Sequence, residues 1–220
     1  MFNFLKSKSQ NFVDSSSNKD FTDNELLEIN RAKCSWLNIY YGNIDTLAKL
    51  TSAETILEVG VAYGYHAEHL LRNLPNIKYT GIDPYLADYD LKDGFSKDVS
   101  ELFQDTPQNS MDRLYLAVVK NLSKNYPERS EILRVKSFDA KISQQYNLIF
   151  LDGHHGYENV SQDLNKYFAL VHTNGILAGD DYTRPSVKQA VDEFAKNQHL
   201  DIHFLSKESE GYPTYFFVKS

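Results

Sequence analysis

The pattern of apolar and polar positions is most regular between Thr55 and Asp83. Ile56, Leu57 and Val59 form a short apolar run that stops at a glycine turn, Gly60 and Gly64. Apolar residues then recur at positions 67, 70, 71 and 74, the spacing that lays one stripe along a helix. A second run, Ile77 to Ile82, ends on Asp83. The stretch therefore predicts strand, turn, helix and strand: a βαβ unit. Ahead of it, Thr22 precedes Glu25 at the spacing of a capping box. Leu26, Leu27, Ile29, Trp36, Leu37 and Ile39 supply apolar faces for helices that would lead into the first strand and cover the mouth of a ligand site.

The alternation resumes further on. Helices are expected over about 110–125, 158–171 and 185–197, and strands over 132–135, 146–151 and 176–179. Asn174-Gly175 marks the expected stop between a helix and the next strand, and Pro185 suits a first helical turn. Two terminal β-runs, Asp201 to Leu205 and Thr214 to Val218, flank the polar SKESEGYP and are expected to pair as a hairpin. Together these elements predict an α/β fold: a Rossmann-like, seven-stranded, mostly parallel sheet with an antiparallel C-terminal hairpin and helices on both faces. Residues 84–110 show no clear period and are read as a lid or substrate loop at the ligand edge. Residues 1–19, rich in Ser, Asn and Lys, are read as a mobile tail. Residues 20–220 are then a single domain, with the N-terminal helices in 20–50.

Composition narrows the function classes. A chain of 220 residues suits one α/β domain with a substantial core. The net charge of −7, with no long basic run, argues against a nucleic-acid partner. A single cysteine, Cys34, excludes an internal disulfide framework and a one-chain thiolate metal cluster. No apolar run reaches membrane-span length and the first ten residues lack a signal-peptide core, so a soluble, cytoplasmic protein with a small-molecule substrate is expected. A homo-oligomer is compatible with the composition.

The chemistry gathers at strand ends. Glu58, Asp83, Asp152 and the pair Asp180 and Asp181 each close an apolar run, so the predicted sheet brings them to one edge. Like charges in one crevice need a cation, a protonated partner or a positively charged ligand. A divalent metal at Asp152, Asp180 and Asp181 would be an oxygen-rich site suited to Mg²⁺, Ca²⁺ or Mn²⁺. Gly60 and Gly64 permit close backbone approach to a ligand, and Asp83 is placed to accept ribose hydroxyls. The turn is E-x-G-x-x-x-G, not the G-x-G-x-x-G of a pyrophosphate site. In that spacing it resembles the first motifs of class I S-adenosylmethionine-dependent methyltransferases.

The resemblance sharpens at D-G-x-H-x-Y-E-x-V-x-x-D-L, from Asp152, and G-D-D-Y, from Gly179. Over about residues 50–200 the chain is similar to a bacterial group related to macrolide sugar O-methyltransferases and, more distantly, to the metal-dependent catechol type. The resemblance implies S-adenosylmethionine at Glu58, Gly60, Gly64, Asp83, Ser137 and Asp152. It also implies a divalent cation, Mg²⁺ first, at Asp152, Asp180 and Asp181, with His155 as the base. His154 stands where the group usually has an acid, so it is kept beside His155 as a catalytic candidate. The expected activity is O-methylation of a small molecule, sugar-like ahead of catechol. The alternatives are a metal-free N-methyltransferase of the same fold and a non-catalytic S-adenosylmethionine-binding scaffold. A nicotinamide dehydrogenase would want Tyr-x-x-x-Lys on a helix, and that spacing occurs only at Tyr215 and Lys219, in a β-run.

Overall fold

The computed structural model describes residues 21–34, 37–90, 94–206 and 213–220. The expected mobile tail, Trp36 and most of the SKESEGYP connection lie outside these residues. Two helices, α1 (Asp23–Lys33) and α2 (Leu37–Leu50), lead into β1 (Thr55–Val59), α3 (Tyr65–Asn73) and β2 (Lys78–Ile82). Then come α4 (Phe95–Phe103), α5 (Pro107–Asn125), β3 (Ser130–Leu133), a 3₁₀ turn (Ser137–Asp139) and β4 (Tyr146–Leu151). The chain closes with α6 (Tyr157–Ala169), β5 (Val171–Gly179), α7 (Pro185–Gln198), β6 (His203–Leu205) and β7 (Thr214–Val218). The sheet order is β3-β2-β1-β4-β5-β7-β6. β3, β2, β1, β4 and β5 pair in parallel, and β7 pairs antiparallel with both β5 and β6. The expected seven-stranded architecture is therefore present. Among the described residues no helix is long and apolar enough to cross a membrane.

Strand alternation divides the core between two faces. Ile56, Leu148, Phe150, Ile176 and Ala178 pack with α2, α3 and α5 on one side. Leu57, Val59, Ile149, Leu151 and Leu177 pack with α6 and α7 on the other. Each fully buried aliphatic side chain contributes roughly 1.5–3 kcal/mol, so the central strands are the firmest part of the molecule. The loops at the carboxyl ends of the strands hang from that firm centre. Thr22 caps α1 through the expected box, its hydroxyl accepting from Glu25 N while the Glu25 carboxylate accepts from Thr22 N.

Two local expectations are corrected. The segment 84–110 is not one irregular loop: α4 lies inside it, and α5 begins at Pro107. The cause is a helical stripe, Phe95, Val99 and Phe103, whose last two members are buried, opened by Gly94 at φ 76°. Asn174-Gly175 does not separate α6 from its strand either. β5 already starts at Val171, and Asn174, at φ 61°, marks the register shift between the Tyr146–Val171 and Leu148–Ile176 pairs.

Candidate active site

A cavity of about 310 Å³ opens at the carboxyl ends of β1 and β4. This is where the strand order reverses direction, the place an open α/β sheet leaves a crevice. Gly60, Asp83, Ser137, Asp152, His154 and His155 all line it, so six of the sequence candidates converge. The turn is built around two devices. Gly60, at φ 93°, passes so close to β4 that a Cβ there would sit 1.9 Å from the Asp152 carbonyl oxygen. Asp83 then holds the turn: its Oδ2 accepts from the amides of Val61 and Ala62, each at 3.0 Å, and its Oδ1 accepts from Tyr85 N at 2.8 Å. Burial raises the Asp83 carboxyl above its ordinary value, although those three amides oppose the shift.

The metal-type donors sit beside this cavity. Ligand atoms of Asp152, His155 and Asp180 lie within 4.8 Å of one another. They line a small hollow of about 20 Å³ that shares Asp152 and His155 with the large cavity. Of the expected trio Asp152, Asp180 and Asp181, the first two are in this group and Asp181 stands beside it. Asp181 turns its Oδ2 to His155 Nε2 at 2.8 Å and to Arg184 Nε at 2.7 Å. Burial raises the Asp181 carboxyl, but His155 and Arg184 outweigh it and hold it below the usual range. The same acids act on His155. Burial alone lowers its pKa, but the neighbouring carboxylates of Asp152, Asp181 and Asp180 push it up to about 10. With these acids around it and no cation among them, His155 favours its protonated form. His154 Nδ1 accepts from Gly156 N at 2.9 Å, and its ring meets Tyr89 edge-on. That nitrogen is an acceptor, so it brings no proton to the Asp90 carboxylate 3.5 Å away.

Two of the expected cofactor residues do not line this cavity. Glu58 does not line the cavity: one residue before Val59, it falls on the opposite face of β1. There its carboxylate is 2 % exposed and bound by His66 Nδ1 at 2.6 Å and by the Tyr79 hydroxyl. Gly64 also faces elsewhere. At φ 71° it starts α3 against α5, and a Cβ would lie 2.7 Å from Val118 Cγ1. It is a packing glycine.

Sequence reading missed the apolar wall of the cavity, Tyr63, Leu86, Phe95 and Met111. Phe95 and Met111 come from α4 and α5, and Tyr63 meets Phe95 edge-on at 5.1 Å. The spacing of Phe95, Val99 and Phe103 was the one signal that would have found α4.

Known proteins agree with this architecture. A family model described as a methyltransferase domain matches residues 57–182. No curated protein matches the chain. A candidate caffeoyl-CoA O-methyltransferase from Staphylococcus aureus superposes with TM-score 0.61 at 13% identity, over 88% of this chain and 92% of that one. An O-methyltransferase family protein from Burkholderia thailandensis gives TM-score 0.60 at 13% identity, over 90% of this chain but 60% of its own. A Podospora anserina methyltransferase, solved with S-adenosylhomocysteine, gives 0.58 at 15% identity, over 91% and 89%. At such identities the superpositions speak for the fold alone. The family match spans more than half of the chain and contains the glycine turn, Asp83, Asp152 and the Asp180–Asp181 pair. This chain belongs to the methyltransferase-domain family, as a class I S-adenosylmethionine-dependent methyltransferase.

Proposed function

We propose that the protein methylates a hydroxyl oxygen of a small molecule, sugar-like ahead of catechol, with a divalent cation, Mg²⁺ first, at Asp152 and Asp180. The observation that carries this reading is that Asp152 and His155 belong at once to the large cavity and to the donor cluster. A methyl donor and a hydroxyl-binding cation would then be neighbours.

The residues fit both groups. Acids line the large cavity at Asp83, Asp90, Asp98 and Asp152, with no Lys or Arg among its described lining residues. That lining favours the positive charge of a sulfonium and an amine. Asp83 would take the ribose, Ser137 would border the base, and Tyr63, Phe95 and Met111 give apolar contact. When bound, the cofactor supplies an electrophilic methyl group, and the cation lowers the pKa of a coordinated hydroxyl. The rest falls to the chain. Asp152 and Asp180 fix where a hydroxyl can be held, and the walls keep it in line. The proton on His155 is there because of the surrounding carboxylates. A cation at Asp152 and Asp180 would lessen the carboxylate charge that favours this proton, and His155, beside them, would then be able to accept the proton leaving the substrate. The acid lining also disfavours phosphorylated, carboxylated or coenzyme A-bearing acceptors, through like-charge repulsion.

Calorimetric titration with Mn²⁺ and Mg²⁺ in two buffers of different ionisation enthalpy tests the reading, alongside turnover before and after chelation. Release of about one proton per cation at pH 7, and loss of turnover on chelation, are the expected results. A second reading rests on the charge balance already present. The protonated His155 and Arg184 offset two of the three charges of Asp152, Asp180 and Asp181 with no cation at all. Undiminished turnover in chelator would sink the metal assignment and leave the metal-free N-methyltransferase.

A further inference from the structure

His154 follows Gly153 in the stretch that opens at Asp152, yet the chemistry above does not use it. It lines the large cavity and also the small hollow, where it stands with Asp152, His155 and Asp180. That hollow, about 20 Å³, has about the room that one water needs. Two neighbours seat the ring. Tyr89 meets it edge-on, with centroids 5.3 Å apart and planes at 86°, and Gly156 N donates to its Nδ1 at 2.9 Å. Gly156 has φ −71°, which any residue adopts, so glycine is not there for backbone freedom. A Cβ at that position would lie 2.8 Å from Cε1 and 3.0 Å from Nδ1 of His154. The missing side chain is what lets the ring reach the amide.

That amide fixes the tautomer. A backbone N–H keeps its proton, so the nitrogen facing it must present a lone pair. A hydrogen on Nδ1 would meet the Gly156 hydrogen head-on. Asp90 Oδ2 also lies near Nδ1 and favours a proton there, but at 3.5 Å it stands beyond a good N–H···O distance, whereas the amide at 2.9 Å is within one. The amide therefore decides, and the neutral ring carries its one proton on Nε2. The other imidazole on the cavity, His155, has its Nε2 2.8 Å from Asp181. His154 Nε2–H is thus the ring donor offered to a ligand, in a lining whose charged groups, Asp83, Asp90, Asp98 and Asp152, are carboxylates that accept.

We propose that His154 is a specificity-determining residue whose Nε2–H donates to an atom of the acceptor beside the hydroxyl being methylated, selecting a hydroxyl, ether or carbonyl oxygen there over an amino group. The inference rests on the reading of the Asp152 and Asp180 edge as the place of the reacting hydroxyl. An acceptor held there has His154 on the wall of the same hollow. An oxygen offers that N–H a lone pair. An amino group turns hydrogens toward it or, when charged, has no lone pair at all.

Two measurements test this, both at pH 7.5. The first is a long-range ¹H–¹⁵N correlation on the wild-type protein labelled at histidine, with His154 assigned from the signals lost in His154→Gln. The Nε2–H tautomer is expected, and a proton on Nδ1, alone or together with one on Nε2, overturns the inference. The second is calorimetry with catechol and 2-aminophenol, which differ in one hydroxyl against one amino group, on protein saturated with S-adenosylhomocysteine and Mg²⁺. The wild type should bind catechol about tenfold more tightly, the worth of one hydrogen bond in a partly buried site. His154→Leu should bring the ratio within about threefold, while His154→Gln, whose amide still donates, should keep most of it. A role confined to packing would weaken both compounds together and leave the ratio unchanged in His154→Leu; that result overturns the inference, as does a wild-type ratio near one. If His154→Leu does not fold, the wild-type tautomer and ratio decide. Binding of neither compound by a wild type that binds S-adenosylhomocysteine would instead remove the reading of this edge as a hydroxyl site, and the inference with it.

Discussion

Replacing Gly60 by alanine should separate the site from the fold more cleanly than any other single change. The added Cβ would stand 1.9 Å from the Asp152 carbonyl oxygen, 2.5 Å from its carbon and 2.9 Å from Gly153 Cα. All three are backbone atoms, so no side chain can rotate away, and β1 and β4 must part by about 1 Å at their carboxyl ends. Alanine at φ 93° adds backbone strain of about 1–3 kcal/mol. Weakening the Asp152 N to Val59 O hydrogen bond, 2.8 Å long, adds about 1 kcal/mol. A total of roughly 2–4 kcal/mol lowers Tm by roughly 5–15 °C in a chain of this size.

The displacement falls on Asp152, which serves both the cavity and the donor cluster. A shift of about 1 Å there should therefore cost about 10²-fold in turnover and loosen both S-adenosylhomocysteine and Mn²⁺. Gly64→Ala is the control. Its Cβ meets the side chain of Val118 at 2.7 Å, in the packing between α3 and α5, away from Asp152. It should lose stability comparably while keeping both affinities within about threefold, and Val118→Ala should restore part of the loss by removing the clash. Thermal unfolding and calorimetry on the four proteins give the comparison. If Gly60→Ala behaves as Gly64→Ala does, stability lost and both affinities kept, the argument that Gly60 positions Asp152 is wrong.

Other expectations follow from the same geometry. Asp83→Ala strands the amides of Val61, Ala62 and Tyr85, so it should cost about 2–4 kcal/mol of stability and weaken S-adenosylhomocysteine ten- to a hundredfold. Unchanged affinity in the folded variant would end the ribose assignment. Asp163, raised from 3.8 to about 6, binds its proton more tightly in the folded chain than in the unfolded one. It therefore contributes stability that is present below about pH 4 and lost as pH rises through about 6, about 3 kcal/mol in all. Asp163→Asn should flatten the denaturant-derived stability between pH 4 and 7, and parallel profiles for variant and wild type would contradict the shift.

The period of the sequence was enough for the sheet. Runs of two-residue alternation and helical stripes identified the βαβ unit, the parallel core and the terminal hairpin, because those patterns are set by local backbone geometry. Acids and glycines at the ends of runs marked the ligand edge for the same reason, and Gly60, Asp83, Ser137, Asp152, His154 and His155 do meet there. Periodicity says which residues share a face, but not which face a neighbour will cover. Glu58 closes β1 as the other strand-end acids close theirs, yet it lies one step out of phase with Val59 and is taken by His66 and Tyr79 beneath α3. Gly64 looked like a ligand glycine until α5 brought Val118 against it. Asp181 looked like a metal ligand, and Arg184 with His155 holds it. Hydrogen-bond partners and pKa values are settled by groups brought together from distant parts of the chain and by the water excluded between them, and only the tertiary structure decides both.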